Sequence, residues 1–193
     1  AVALIISSGC FIGTTILFDG PQNTGRHNDK PPMARLQGAV NEVQRKPLKR
    51  VIWESINKNE DLYPGEAVRT APNAEAQLYI NKTKTTVRLD PDSLVVLEET
   101  EKGLCLDFLQ GNLFVQSAQG ADAKGSETLT LKTGNGEIKL KSADLSLSKN
   151  KNGNVDLEVH RGEAELAQGT KKTALNKDKR AEVSATGVSI SND

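Results

Sequence analysis

Aromatic rings are scarce in this chain. Four Phe, two Tyr and one Trp make up 4% of its 193 residues. A core without rings must be assembled from Leu, Val, Ile and Ala. Net charge is missing as well, with 25 basic residues against 25 acidic ones. A nucleic-acid partner needs a basic footprint that displaces counterions from phosphates, so that class of partner is excluded. Histidine and cysteine number two each, His27, His160, Cys10 and Cys105, and no zinc-type spacing can be drawn through them. No intrachain disulfide is expected, since Cys10 lies in an apolar run and Cys105 in a strand. His160 has Ser and Asp residues near it in sequence, but no nucleophile-elbow motif accompanies it, so it reads as a strand-end residue. The carboxylates of "DPDS" (90–93) and "EETE" (98–101) fall short of the roughly six to eight oxygens that calcium takes. No Gly-rich loop opens a helix, so a phosphate cradle is lacking too. The sequence therefore predicts a non-enzymatic protein without a cofactor.

Charge is also absent from one continuous stretch, residues 1–18, "AVALIISSGCFIGTTILF". As a helix it would extend about 27 Å, close to the roughly 30 Å of a bilayer's hydrocarbon core. A signal peptide or a lipoprotein signal ending at Gly9-Cys10 are the competing readings. The apolar run continues past Cys10, which favours a single transmembrane helix. Gly9 and Gly13 stand four apart, where missing side chains let a second helix approach closely. Ser8 and Thr14 can add hydrogen bonds across such a contact. The expected partner is a multispan inner-membrane protein or complex. The downstream flank starts with Asp19 and has no basic residue before Arg26, which favours a C-terminal part outside the cytoplasm, although the charge bias alone does not set the orientation.

Residues 19–39 follow as a polar linker rich in Pro and Gly at its start. Met33, Leu36, Val40 and Val43 recur at spacings of three and four, the pattern of a short amphipathic helix, although a first strand near Ala39 fits equally. Beyond this point the pattern has period two. It is clear in "TTVRL" (85–89), "LTLKT" (129–133), "EIKLK" (137–141), "DLSLS" (144–148) and "VDLEV" (155–159). Asn135-Gly136 and Asn152-Gly153 mark tight hairpins. One apolar face per strand requires the sheet to roll or stack on itself. The predicted domain, residues 40–193, is all-β, a solenoid-like roll or a curled β-sandwich.

Several motifs recur in a fixed order. "LYPGEAVRT" gives Leu62, Gly65, Glu66, Arg69 and Thr70. "TTVRLDPDSL" gives Leu89, Ser93 and Leu94, and "LQGNLFV" gives Leu109, Gly111 and Leu113. Together these resemble the FecR domain of bacterial envelope proteins, over about residues 40–188. The resemblance implies an envelope location and a β fold. The best-known members regulate sigma factors, with a cytoplasmic anti-sigma segment before the membrane helix and a signalling domain after the FecR domain. Neither is visible in this chain, and Ala143-Asp144 stands where the family often has Gly-Thr. The expected role is an accessory or adaptor subunit of an inner-membrane complex. A transmembrane signalling regulator is the alternative, and a peptidoglycan- or glycan-binding module is the third reading, with Trp53, Tyr63 and Tyr79 as its aromatic candidates. Turn chemistry alone accounts for Leu62, Gly65, Glu66, Arg69, Thr70 and Gly111 as corners of the fold. Repeated corners would also form a ledge able to bind a partner.

Overall fold

The computed structural model describes residues 30–118 and 127–192. Among them are fifteen strands: β1 Ala34–Val40, β2 Val43–Lys46, β3 Glu54–Ser55, β4 Asp61–Leu62, β5 Ala67–Thr70, β6 Glu75–Ile80, β7 Thr85–Leu89, β8 Leu94–Thr100, β9 Gly103–Gln116, β10 Leu129–Lys132, β11 Glu137–Lys149, β12 Val155–Gln168, β13 Lys171–Asn176, β14 Lys179–Ser184 and β15 Gly187–Asn192. No helix among the described residues is long and apolar enough to cross a membrane. The apolar segment 1–18, with Ser8, Gly9, Gly13 and Thr14, lies outside the described residues.

Three strands of 13 or 14 residues organise the rest. Each changes partners halfway along. The first half of β9 lies between β8 and β10, and its second half lies between β7 and β11. The second half of β11 pairs with the first half of β12, and the first half of β11 with the second half of β12. The outer neighbour of β12 changes accordingly from β14 to β13. The ladder thus folds over into two layers. One runs β4-β1-β6-β7-β9-β11-β12-β14-β15, and the other β3-β2-β5-β8-β9-β10-β11-β12-β13. β9, β10 and β11 close a small ring between them, with β10 parallel to β9.

Period-two alternation fills the space between the layers. Leu78 and Ile80, Val87 and Leu89, Leu145 and Leu147, and Val155, Leu157 and Val159 all point inward and belong to one apolar cluster. Phe108 is the one ring in that core. The layers meet along two rims. On the upper rim the chain crosses between layers at Asn41, at 71–74, at 90–93 and at Gly111. On the lower rim it crosses at Ser142, at Gly162 and at 177–178. Positive φ occurs at most of these crossings: Asn41 (57°), Asp92 (56°), Gly111 (93°), Ser142 (55°), Gly162 (79°) and Asp178 (63°).

Residues 34–40 form β1, so the β region begins inside the stretch that composition places in the linker. No helix forms over 33–46. Two irregularities produced the helical spacing. A bulge between Leu36 and Gly38 shifts the phase once, and the crossing at Asn41 shifts it again. Met33, Leu36 and Val43 therefore face the core while Val40 is exposed. The turn between β10 and β11 also differs from expectation. Thr133 N donates to Gly136 O at 3.0 Å, and Gly134 rather than Asn135-Gly136 takes the positive φ.

Candidate functional site

The upper rim is assembled around two buried hydroxyls. Thr70 ends β5 and Ser93 precedes β8. Thr70 Oγ1 donates to Asp90 O at 2.7 Å and accepts from Ser93 N at 2.9 Å. Ser93 Oγ donates to Asn112 O at 2.8 Å and accepts from Asn112 N at 3.0 Å. Three crossings are thereby tied together by side chains that satisfy backbone groups the ladders leave unpaired. Gly111 fits because it has no Cβ, which would lie 2.3 Å from Ser93 Oγ and 2.5 Å from its Cα.

An open cleft of about 380 Å³ sits over these crossings, lined by Glu42, Gln44, Trp53, Arg69, Asp92 and Gln110 among others. Arg69 dominates it. Its Nε donates to Gln44 Oε1 at 2.7 Å, and its guanidinium lies 4.2 Å from the centre of the Trp53 ring. Lys46 Nζ approaches the same ring at 5.4 Å. A cation held over an indole keeps its charge while its stem is packed. Gln110 Nε2 donates to Asp92 O at 3.1 Å and closes the far side. The cleft thus offers a planar cation, amides and two carboxylates.

The six residues predicted as corners separate into two groups. Arg69, Thr70 and Gly111 meet at the upper rim. Leu62, Gly65 and Glu66 lie at the other end of β5. Leu62 is core, paired with Ala34. Gly65 takes φ +89° and packs under Leu48. Glu66 is buried and its Oε2 accepts from Tyr63 N at 3.0 Å, which ties the turn before β5. Glu42, Gln44 and Gln110 were not predicted. They reach the cleft through pairing of β2 with β5 and of β8 with β9, and no local pattern announces such a register.

On the outer face of the first layer, Ser146 Oγ lies 2.9 Å from His160 Nε2, and His160 Nδ1 lies 3.5 Å from Glu158 Oε1. These are the residue types of a hydrolytic triad. Among the described residues nothing completes that machinery. Glu158 is shared with Arg180, whose Nε is 3.2 Å from its other oxygen. His160 is exposed and rests near the ring of Phe114. Ser146 is in a regular strand, opposite Glu158 on one side and Phe114 on the other. Ladder bonds on both sides leave no preorganised N–H pair for an oxyanion. Cys105 is no better as a nucleophile. It is buried, and burial pushes its thiol up to about 11, away from the thiolate that reacts. Among the described residues no group of three or more His, Cys, Asp or Glu side chains could hold a metal ion.

The lower rim is closed by charge where β11 and β12 cross. Arg161 binds Asp144 with both forks, Nε to Oδ2 and Nη2 to Oδ1, each at 2.8 Å. Asp144 Oδ1 also accepts from Ser117 N at 3.2 Å, and Arg161 Nη2 donates to Ser117 O at 3.2 Å. The crossings of β11 and β12 and the end of β9 are joined in one node. The Asp144 carboxylate raises the Arg161 pKa further, chiefly through these hydrogen bonds.

Comparison with known proteins places this architecture. Two crystal structures from Parabacteroides distasonis ATCC 8503, at 1.65 and 2.50 Å, have a similar fold and are described as a "putative anti-sigma factor". Both align with a TM-score of 0.55, at 14% and 13% identity, over 66% of this chain. The alignment spans 59% of the Parabacteroides chain. No curated protein matches by sequence. The family model described as "FecR protein" matches residues 66–165, from the turn before β5 to the second half of β12. That span covers more than half of the sequence and contains Thr70, Ser93, Gly111, Asp144 and Gly162, and on this ground the chain belongs to the FecR family.

Proposed function

We propose that this chain is the envelope part of a transmembrane regulator of the FecR kind. Residues 1–18 anchor it in the inner membrane as a single span, and the β domain stands in the periplasm. The domain works without catalysis. It receives a polypeptide partner at the upper-rim cleft, and occupancy is relayed through the anchor to a regulator on the other side. The observation that carries this reading is the family match over residues 66–165. The fold shared with a protein described as a "putative anti-sigma factor" supports it. The cleft adds a physical reason. Arg69 is exposed, and no carboxylate forms an ion pair with it among the described residues.

An adaptor subunit docked on a multispan inner-membrane protein is the second reading. The spacing of Gly9 and Gly13 favours it, because that face would admit another helix. Glycan binding is less supported. Trp53 already carries Arg69 and Lys46 against its ring. Affinity purification from detergent-solubilised membranes separates the first two readings. A regulator expected of this family should copurify with wild type and with Gly9→Leu/Gly13→Leu alike. Loss of a multispan partner on that double change, with no regulator present, would transfer the case to the adaptor.

A further inference from the structure

The loop between β2 and β3 breaks the usual rule for exposed loops. Residues 46–53 read "KPLKRVIW". Three basic residues and no acidic one flank an apolar tip. Val51 is 89% exposed, Ile52 69% and Leu48 45%. The tip has a fixed shape. Arg50 N donates to Pro47 O at 3.0 Å, and Lys49 takes φ 64° to complete the turn. Leu48 is seated over Gly65, its Cδ1 filling the space a Cβ there would occupy. The loop is therefore a held projection that presents aliphatic side chains to solvent between cations.

Its position in the fold narrows what could cover it. β2 runs away from the upper rim, so the loop emerges toward the lower one. The described chain enters there too. Met33 N donates to Leu62 O at 2.9 Å, three residues from the Gly65 that supports Leu48. Lys30 and Lys82 both reach Glu99 on the same side, at 3.1 and 3.2 Å. Upstream of residue 30 only eleven residues, 19–29, separate this entry point from the uncharged segment 1–18. Fully extended they reach about 36–40 Å.

We propose that the 47–52 loop seats in the headgroup region of an anionic bilayer, with Val51 and Ile52 in the upper acyl layer and Lys49 and Arg50 among the anionic headgroups. Each basic residue near such a surface is worth about 1 kcal/mol, about a fivefold change in binding. Aliphatic tips add to this by burial. The contact would hold the lower rim toward the membrane and turn the upper-rim cleft away from it. The inference rests on the reading of residues 1–18 as the anchor, and it adds a second contact with the same membrane.

The chain has one Trp, so a single ring can be moved to the tip. The full chain carrying Trp53→Phe/Val51→Trp is reconstituted into vesicles of phosphatidylcholine with phosphatidylglycerol, and flotation is measured alongside Trp quenching. Quenchers are lipids brominated high on the acyl chain, and aqueous iodide. Circular dichroism checks the fold. The expected result is flotation with strong bromolipid quenching and protection from iodide. Adding Lys49→Glu/Arg50→Glu should abolish the bromolipid quenching while flotation persists, and pure phosphatidylcholine should weaken it. Flotation with a tip that iodide quenches freely would overturn the loop contact and leave the anchor standing, and would point to a protein as the loop's occupant. Quenching unchanged by the charge reversal would overturn the anionic-surface assignment. Failure to float would overturn anchor and loop together.

Discussion

The two rims solve the same problem with different materials. At the upper rim three of the four crossings are turns between short strands, and only β9 passes through, at Gly111. At the lower rim β11 and β12 cross without ending, bent through Ser142 and Gly162. Turns expose backbone groups, and Thr70 and Ser93 satisfy them with neutral hydroxyls. Bent strands leave fewer orphans but need close backbone contact, and Asp144 with Arg161 locks it by charge. The contrast assigns different work to the two rims. The upper rim has side chains left to line a cleft, while at the lower rim Asp144 and Arg161 are engaged with each other and with Ser117.

The largest expected effect is at the tightest crossing. A Cβ on Gly162 would lie 2.1 Å from Ser142 O and 3.0 Å from Ala143 Cα, at φ +79°. Gly162→Ala should cost ~3 kcal/mol or more, because the obstacle is backbone and the dihedral is strained. Gly111→Ala meets Ser93 Cα at 2.5 Å and should approach it. Thermal or urea unfolding checks both. If either change is neutral, the rims are not the rigid crossings described.

Next come the two nodes. Asp144→Ala leaves a partly buried Arg161 without its bidentate partner and leaves Ser117 N with its bond to Ala143 O at 3.3 Å alone. A loss of about 2–3 kcal/mol is expected. Thr70→Val keeps the shape and removes one donor and one acceptor, and should cost about 1–2 kcal/mol. Equal losses in urea titrations would erase the distinction between a charged and a neutral rim.

Gly65→Ala should cost less, about 1 kcal/mol, mostly from φ +89°. The atom in the way is Cδ1 of Leu48, the end of a half-exposed side chain that can move. A penalty as large as that of Gly162→Ala would mean the 47–52 loop is packed more firmly than its exposure implies.

The smallest effect is at the entry to the lower rim. Hydrogen bonds from Lys30 and Lys82 hold the Glu99 carboxyl below the usual glutamate range. A depressed folded pKa contributes stability above the unfolded value and loses it as pH falls through the folded one. The hydrogen-exchange protection factor of Asn81, whose N–H bonds Met33 O, should fall on acidification below the ordinary glutamate range. Glu99→Gln should show no such step.

Much of this was legible in sequence where the physics is local. Alternation places Leu145, Leu147, Val155 and Leu157 in the core, and a Pro-Gly turn places positive φ at Gly65. Strand β1 was hidden by a bulge and a crossing that imitate a helical period. Strand β2 was hidden by Arg45, which points inward, breaks the apolar alternation and pairs with Glu60 at 3.1 Å. The cleft was half legible. Arg69, Thr70 and Gly111 carry motif signals, but Trp53, Glu42, Gln44 and Gln110 join them only through long-range register. The Asp144–Arg161 node stood at a departure from the family's pattern, and nothing short of the β11–β12 pairing could join its two halves.

The most direct test of the central claim is copurification of the envelope partner from detergent-solubilised membranes, comparing wild type with Arg69→Glu. The side chain is exposed, so the domain should fold normally. The account predicts that the partner is lost while the anchor still fractionates with the membrane. A partner retained at wild-type yield would contradict the assignment of the upper-rim cleft as the receiving surface.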